Sequence, residues 1–248
     1  MKTSLRFVFI ISILLNIILV FFLWKNRLKN EPAAPINKNK PFAGNKKGDQ
    51  GKHAWKTNVL FDSLTIDSND IVLMGDSFIA QFRLSEMLSD GNIKNRGIQG
   101  EFILGVNNMI PQVAASQPRQ IIVLVGINDI LHDEKHSTIL KNYRQIIQKV
   151  VKISPGTKLS FISMLPMLSK SGFCTNCNDE IREVNKQLKR LCAQENIEFI
   201  DLYKAFLNAK GTELSSKFVL DGLHINAEGY EHLKRLIVPH LATPNRTD

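Results

Sequence analysis

The chain has 248 residues and a formal net charge of +9. Residues 1–58 hold 11 Lys/Arg against 2 Asp/Glu, whereas residues 59–248 hold 21 of each. The part beyond residue 58 is therefore electrically balanced, which argues against nucleic acid as a partner, and its roughly 190 residues fit one domain with a single core.

Phe7 to Trp24 is an apolar run of 18 residues broken only by Ser12 and Asn16, with Lys2 and Arg6 ahead of it. That length is at the lower end for a membrane-spanning helix and long for a signal-peptide core. No small-x-small cleavage site follows closely, and no cysteine is near to take a lipid anchor. The reading is an uncleaved signal anchor over residues 1–24, favoured over a cleaved signal peptide, with the membrane as partner through this helix. Orientation has arguments on both sides. Lys25, Arg27, Lys29, Lys38 and Lys40 outnumber the cations ahead of the run, which favours a cytoplasmic domain under the positive-inside rule. The layout of the N-terminus resembles an export signal, and the extracytoplasmic orientation is adopted on that ground. Residues 25–58, rich in Lys, Asn, Pro and Gly, cannot bury a core and read as a flexible basic tether.

The rest of the chain, residues 59–243 with a short tail over 244–248, alternates strand and helix patterns. Asp70–Met74 is a buried strand ending at Gly75. Ser77–Leu88 has helical spacing, Ile93–Gly97 is a weak strand, and Glu101–Ala115 is helical. Gln120–Gly126 is the clearest strand. Thr138–Ile153 is an amphipathic helix closed by Ser154-Pro155-Gly156, and Lys158–Leu165 is a strand ended by Pro166. Asn178–Glu195 is a charged helix, Ile197–Leu202 a fifth strand and Ala227–Leu241 a final helix. Five strands alternating with helices predict an α/β domain with a mainly parallel sheet. In such sheets functional groups gather beyond the carboxyl ends of the strands.

Three cysteines are present, Cys174, Cys177 and Cys192. Cys174 and Cys177 have C-x-x-C spacing, but no second pair completes a zinc site. A local disulfide and two free thiols both stay open, and Cys192 reads as a small buried apolar residue.

Ser77 lies in Gly75-Asp76-Ser77-Phe78, directly after the first strand. Alone it would read as a helix N-cap. His224 in Asp221-Gly222-Leu223-His224 changes that, because Asp221 three residues earlier can orient a histidine base toward Ser77. Gly97 in Asn95-Arg96-Gly97 and Asn128 in Gly126-Ile127-Asn128-Asp129 can stabilise an oxyanion, with a backbone N–H and a side-chain amide respectively. Each alone reads as a turn glycine or a helix cap. His132 and His136 have the spacing of paired metal ligands, with no third ligand to accompany them. Asp76 reads as a structural residue bonding nearby backbone.

Together these four blocks, in this order, resemble the SGNH or GDSL hydrolase superfamily over residues ~68–241, and most of all its small bacterial esterases of the lysophospholipase L1 and platelet-activating-factor acetylhydrolase type. Phe78 replaces the leucine of the name-giving motif, and Gln99-Gly100-Glu101 departs from the commoner small-polar run. The resemblance implies a three-layer α/β/α fold with a five-stranded parallel sheet in the flavodoxin-like order 2-1-3-4-5. It implies Ser77 as nucleophile, His224 as base then acid, and Asp221 as orienter. Ser77 N–H, Gly97 N–H and Asn128 Nδ2 would form the oxyanion hole, with no cofactor and no metal. The expected activity is hydrolysis of short O-acyl esters, acetyl foremost, of a small-molecule or glycan substrate in an open, shallow pocket. Acyl transfer to an envelope glycan on the same scaffold and lysophospholipase activity are the alternatives.

Overall fold

The computed structural model describes residues 61, 63–88, 91–169 and 176–243. The expected anchor over 1–24 and the tether over 25–58 lie outside the described residues. Among the described residues, no helix is long and apolar enough to cross a membrane.

Five parallel strands form one sheet in the order β2-β1-β3-β4-β5. They are β1 (Ile71–Gly75), β2 (Ile93–Gly97), β3 (Gln120–Leu124), β4 (Lys158–Ile162) and β5 (Glu198–Ile200). The order and parallel sense agree with expectation. β1 and β3 are buried along their whole length, which is why their sequences are continuous apolar runs rather than alternating ones. Gly75 pairs with Gly97 on one side and with Leu124 on the other. The carboxyl ends of β1, β2 and β3 are therefore level, and the three segments that leave them start side by side.

The helices are α1 (Ser77–Ala80), α2 (Leu84–Met87), α3 (Ile103–Ala115), α4 (Ile127–Leu131), α5 (His136–Ile153), α6 (Cys177–Gln194) and α7 (Ala227–Ile237). α3 packs on α5, and α5 on α6. The expected single helix Ser77–Leu88 is a correction: it is broken between Ala80 and Leu84. Asn95 on β2 is the cause that can be seen, because its Nδ2 donates to the carbonyls of Ile79 (2.7 Å) and Phe82 (3.0 Å). The same carbonyls also accept the Phe82 and Leu84 N–H groups, at 3.0 and 2.8 Å, in the tight turns that close the break. The five-residue α4 escaped the sequence reading because so short a segment shows no periodicity. Strands β3, β4 and β5 and the last helix also stop short of their expected ends. α7 gives way to a 3₁₀ turn at Val238–His240.

Cys177 is buried and disulfide-bonded, while Cys174 lies outside the described residues. Cys192 is free and buried, and burial pushes its thiol up to about 12, so it behaves as the apolar filler expected.

Candidate active site

Ser77 is the first residue of α1, immediately after β1 and Asp76. The Asp76 carboxyl accepts the Phe78 N–H at 3.0 Å and sets the first turn. The Ser77 N–H has no partner among the described residues, as expected at a helix start.

Asp221 and His224 come from the segment between β5 and α7. An isolated antiparallel bridge joins Val219 to Ile225, and Leu220 N–H donates to the His224 carbonyl at 2.8 Å. The residues between them are pushed out as a tight loop. Within it, Asp221 Oδ1 accepts the N–H groups of Leu223 (3.0 Å) and His224 (2.8 Å). Gly222 sits at φ 95°, a conformation that side-chain-bearing residues rarely adopt. Asn226 caps α7 by accepting the Gly229 N–H, and Tyr230 on α7 donates to the Phe78 carbonyl at 3.0 Å. The histidine loop is thereby tied to the serine helix.

The result is a relay between residues far apart in sequence. Asp221 Oδ2 lies 2.7 Å from His224 Nδ1, and His224 Nε2 lies 2.9 Å from Ser77 Oγ. An ionised carboxylate only accepts, so Nδ1 carries the proton and Nε2 turns its lone pair to the serine. Ser77 is buried while Asp221 is half-exposed. Phe78 underlies the imidazole at 5.9 Å between ring centroids.

Asn128 lies in the first turn of α4, and its Nδ2 donates one proton to the Glu101 carbonyl at 2.9 Å. The second amide proton remains for another acceptor. Gly97 does not offer the donor expected of it. Its N–H donates to Asn95 Oδ1 at 2.8 Å. A Cβ there would meet Ala80 N at 2.2 Å, so Gly97 is a close-packing position under α1. The Gly100 N–H carries no hydrogen bond among the described residues, at the left-handed φ of 71° in the turn closed by Glu101 N–H to the Ile98 carbonyl.

The model of the GDSL-like lipase/acylhydrolase family matches residues 62–232. The chain belongs to that family. A curated relative, a multidomain esterase from Ruminococcus flavefaciens, is 24% identical over 119 residues, covering 47% of this chain and 14% of that protein. The match thus spans a small part of the relative's length. A solved structure from Streptococcus pneumoniae, provisionally described as a platelet activating factor, superposes with a TM-score of 0.67 at 24% identity, covering 78% of this chain and 92% of that one. An acetyl xylan esterase structure superposes with a TM-score of 0.59 at 19% identity, covering 70% and 100%. At these identities the structural likeness speaks for the fold.

Electrostatics in this GDSL-family domain divide the carboxyls of the site into two kinds. Burial pushes Asp221 up, but the hydrogen bonds from the His224 ring and from the His224 and Leu223 N–H groups outweigh it and hold it below the usual range. Asp76 goes the other way: burial, with Asp129 and Glu101 nearby, raises it to about 8. Asp129, whose Oδ2 accepts the Ile103 N–H at 3.0 Å, is raised by burial to about 7. Of the remaining histidines, His132 donates from Nδ1 to the Asn128 carbonyl at 2.8 Å, and His136 pairs with Glu180 at 2.6 Å. The role of His132 beside Asn128 and the free N–H of Gly100 escaped the sequence reading. The second glycine of Asn95-Arg96-Gly97-Ile98-Gln99-Gly100 was the only signal available for the latter.

Proposed function

We propose that the chain is a serine esterase that hydrolyses short-chain O-acyl esters, O-acetyl foremost, of carbohydrate or lipid-derived substrates. The observation that carries this reading is the unbroken relay from Asp221 through His224 to Ser77 Oγ, with contacts of 2.7 and 2.9 Å. Ser77 Oγ attacks the ester carbonyl carbon and passes its proton to His224 Nε2. The carbonyl electron pair moves to oxygen, where Ser77 N–H, Gly100 N–H and the second Asn128 amide proton receive the negative charge. Collapse breaks the bond to the alcohol, which leaves with the proton from Nε2. Water then repeats the sequence on the acyl-Ser77 ester and releases the acid.

The similarity to a protein described as an acetyl xylan esterase supports short acyl groups over long ones. A series of p-nitrophenyl esters from acetate to octanoate tests it. Turnover falling with chain length is expected, and a maximum at octanoate would instead favour a lysophospholipase. Acyl transfer to an added glycan in preference to water would favour the transferase.

We further propose that the domain lies outside the cytoplasm, held by the apolar run Phe7 to Trp24 as a membrane anchor. The disulfide at Cys177 supports an oxidising compartment. Protease digestion of intact cells tests this: loss of the domain is expected, and full protection would place it inside.

A further inference from the structure

Each of the three oxyanion donors has a buried acidic residue as its chain neighbour. Asp76 precedes Ser77, Glu101 follows Gly100 and Asp129 follows Asn128. Their relative exposures are 1%, 5% and 3%. None of the three forms an ion pair with Lys, Arg or His among the described residues. Their hydrogen bonds come from backbone N–H groups: Asp76 Oδ1 accepts from Phe78, Glu101 Oε1 from Phe102 and Asp129 Oδ2 from Ile103, all at 3.0 Å. The second oxygen of Asp76 is buried with no partner.

We propose that Asp76, Glu101 and Asp129 are positioning residues that act as a proton-holding base to the oxyanion hole, and that loss of their protons at alkaline pH switches the hole off. The proposal rests on the esterase reading above. An ionised carboxylate with an orphaned oxygen in a dry interior is strongly disfavoured, whereas the neutral acid is tolerated. His132 packs on Phe102 and bonds the Asn128 carbonyl, pairing with none of the three carboxyls. Tyr143 reaches the cluster from α5 and Tyr230 from α7, and Glu134 acts on Asp129 from the loop after α4. These groups are neutral or negative. Burial is also the leading reason that all three carboxyls are raised.

Neutrality matters because of what the hole must hold. The reaction places a full negative charge among the three donors. Neutral carboxyls behind those donors fix the turns and oppose the charge little. Once one gives up its proton to water, a like charge stands on the residue next in the chain to an oxyanion donor. At an effective dielectric constant of about 20, that repulsion slows the reaction by at least about tenfold. The acid that fixes the turn in one protonation state therefore repels the transition state in the other.

The test uses the purified full chain and its Asp76→Asn, Glu101→Gln and Asp129→Asn variants. Two quantities are followed from about pH 6 to about pH 10: kcat/KM for p-nitrophenyl acetate, and the thermal midpoint. The wild type is expected to lose about tenfold in kcat/KM across the alkaline half of this range, through kcat rather than KM. The amide variants are expected to move that fall to higher pH. The wild-type thermal midpoint is expected to decline as pH rises toward about 8 and to level off above it, less steeply in the variants, because carboxyls raised in the folded state lose their stabilisation between the unfolded carboxylate value and the folded ones. A wild-type rate that stays level to pH 10 would overturn the proposal. So would an alkaline fall that is identical in all folded variants. The thermal profile needs no turnover. A sloping wild-type profile that flattens in the variants, with no ester hydrolysed, would support the cluster while sinking the esterase reading; a level profile would overturn the cluster whatever the enzyme does. If Asp76→Asn fails to fold, Asp129→Asn and Glu101→Gln carry the comparison.

Discussion

At the scale of single residues, two glycines three positions apart do different work. Gly97 and Gly100 sit in one hexapeptide, and the sequence does not say which N–H is free. The structure does, because the Asn95 side chain takes the Gly97 N–H and leaves that of Gly100 open. Gly97→Ala would drive a Cβ to 2.2 Å from Ala80 N and 2.6 Å from the Ile79 carbonyl carbon, both backbone atoms that cannot step aside. It is expected to lower stability by about 1–3 kcal/mol, read as a fall in the thermal midpoint. Asn128→Ala should behave in the opposite way. Its amide faces a charge that exists only in the transition state, so kcat should fall roughly 10²- to 10³-fold with KM little changed. An equal loss through KM alone would remove Asn128 from the oxyanion hole. Ser77, Asp221 and His224 were legible because serine, carboxylate and imidazole are chemically distinctive. A backbone N–H is not, and its partner can only be seen in three dimensions.

At the scale of elements, the helix and strand pattern was readable wherever an apolar stripe ran long enough to show a period. It failed where a side chain from elsewhere decided the matter, as Asn95 does at the break between α1 and α2. Helix α3 holds another such case. Pro111 lies inside it and has no N–H to give to the Asn107 carbonyl one turn earlier. Lys149 from α5 supplies the missing donor, bonding both Asn107 O and Asn107 Oδ1 at 2.7 Å. Burial lowers the Lys149 ammonium from its ordinary range. Lys149→Met keeps the stem that packs between the helices and removes the donor. It is expected to destabilise the fold by about 1–3 kcal/mol in denaturant unfolding. A change within error would mean that water serves Asn107 equally well. Nothing in the sequence of α3 announces that its proline is answered from α5, fully 38 residues after Pro111.

At the scale of the whole molecule, the alternation of elements led to a parallel α/β sheet, and the strand order was implied by the family resemblance. The placement of the acids did not follow from either. Glu198 on β5 is pushed up by burial, yet the hydrogen bonds from His240, Lys158 and Ser160 outweigh that and bring it to about 2. Asp221 is also held low. Groups depressed in the folded state contribute stability above their unfolded range and lose it as pH falls toward the folded value. The thermal midpoint is therefore expected to drop between about pH 4.5 and pH 2, and Glu198→Gln should make that drop shallower. An unchanged acid limb in the variant would mean that the network around β5 does not hold the fold.

The claim on which the functional account stands is that Ser77 is a nucleophile activated through His224. It is tested most directly by labelling with a fluorophosphonate probe alongside p-nitrophenyl acetate hydrolysis, on the wild type and on Ser77→Ala at equal thermal midpoint. The account predicts that the wild type labels covalently at Ser77 and turns over the ester, and that Ser77→Ala loses both. Labelling or turnover that survives in Ser77→Ala, or a folded wild type that does neither, would contradict it.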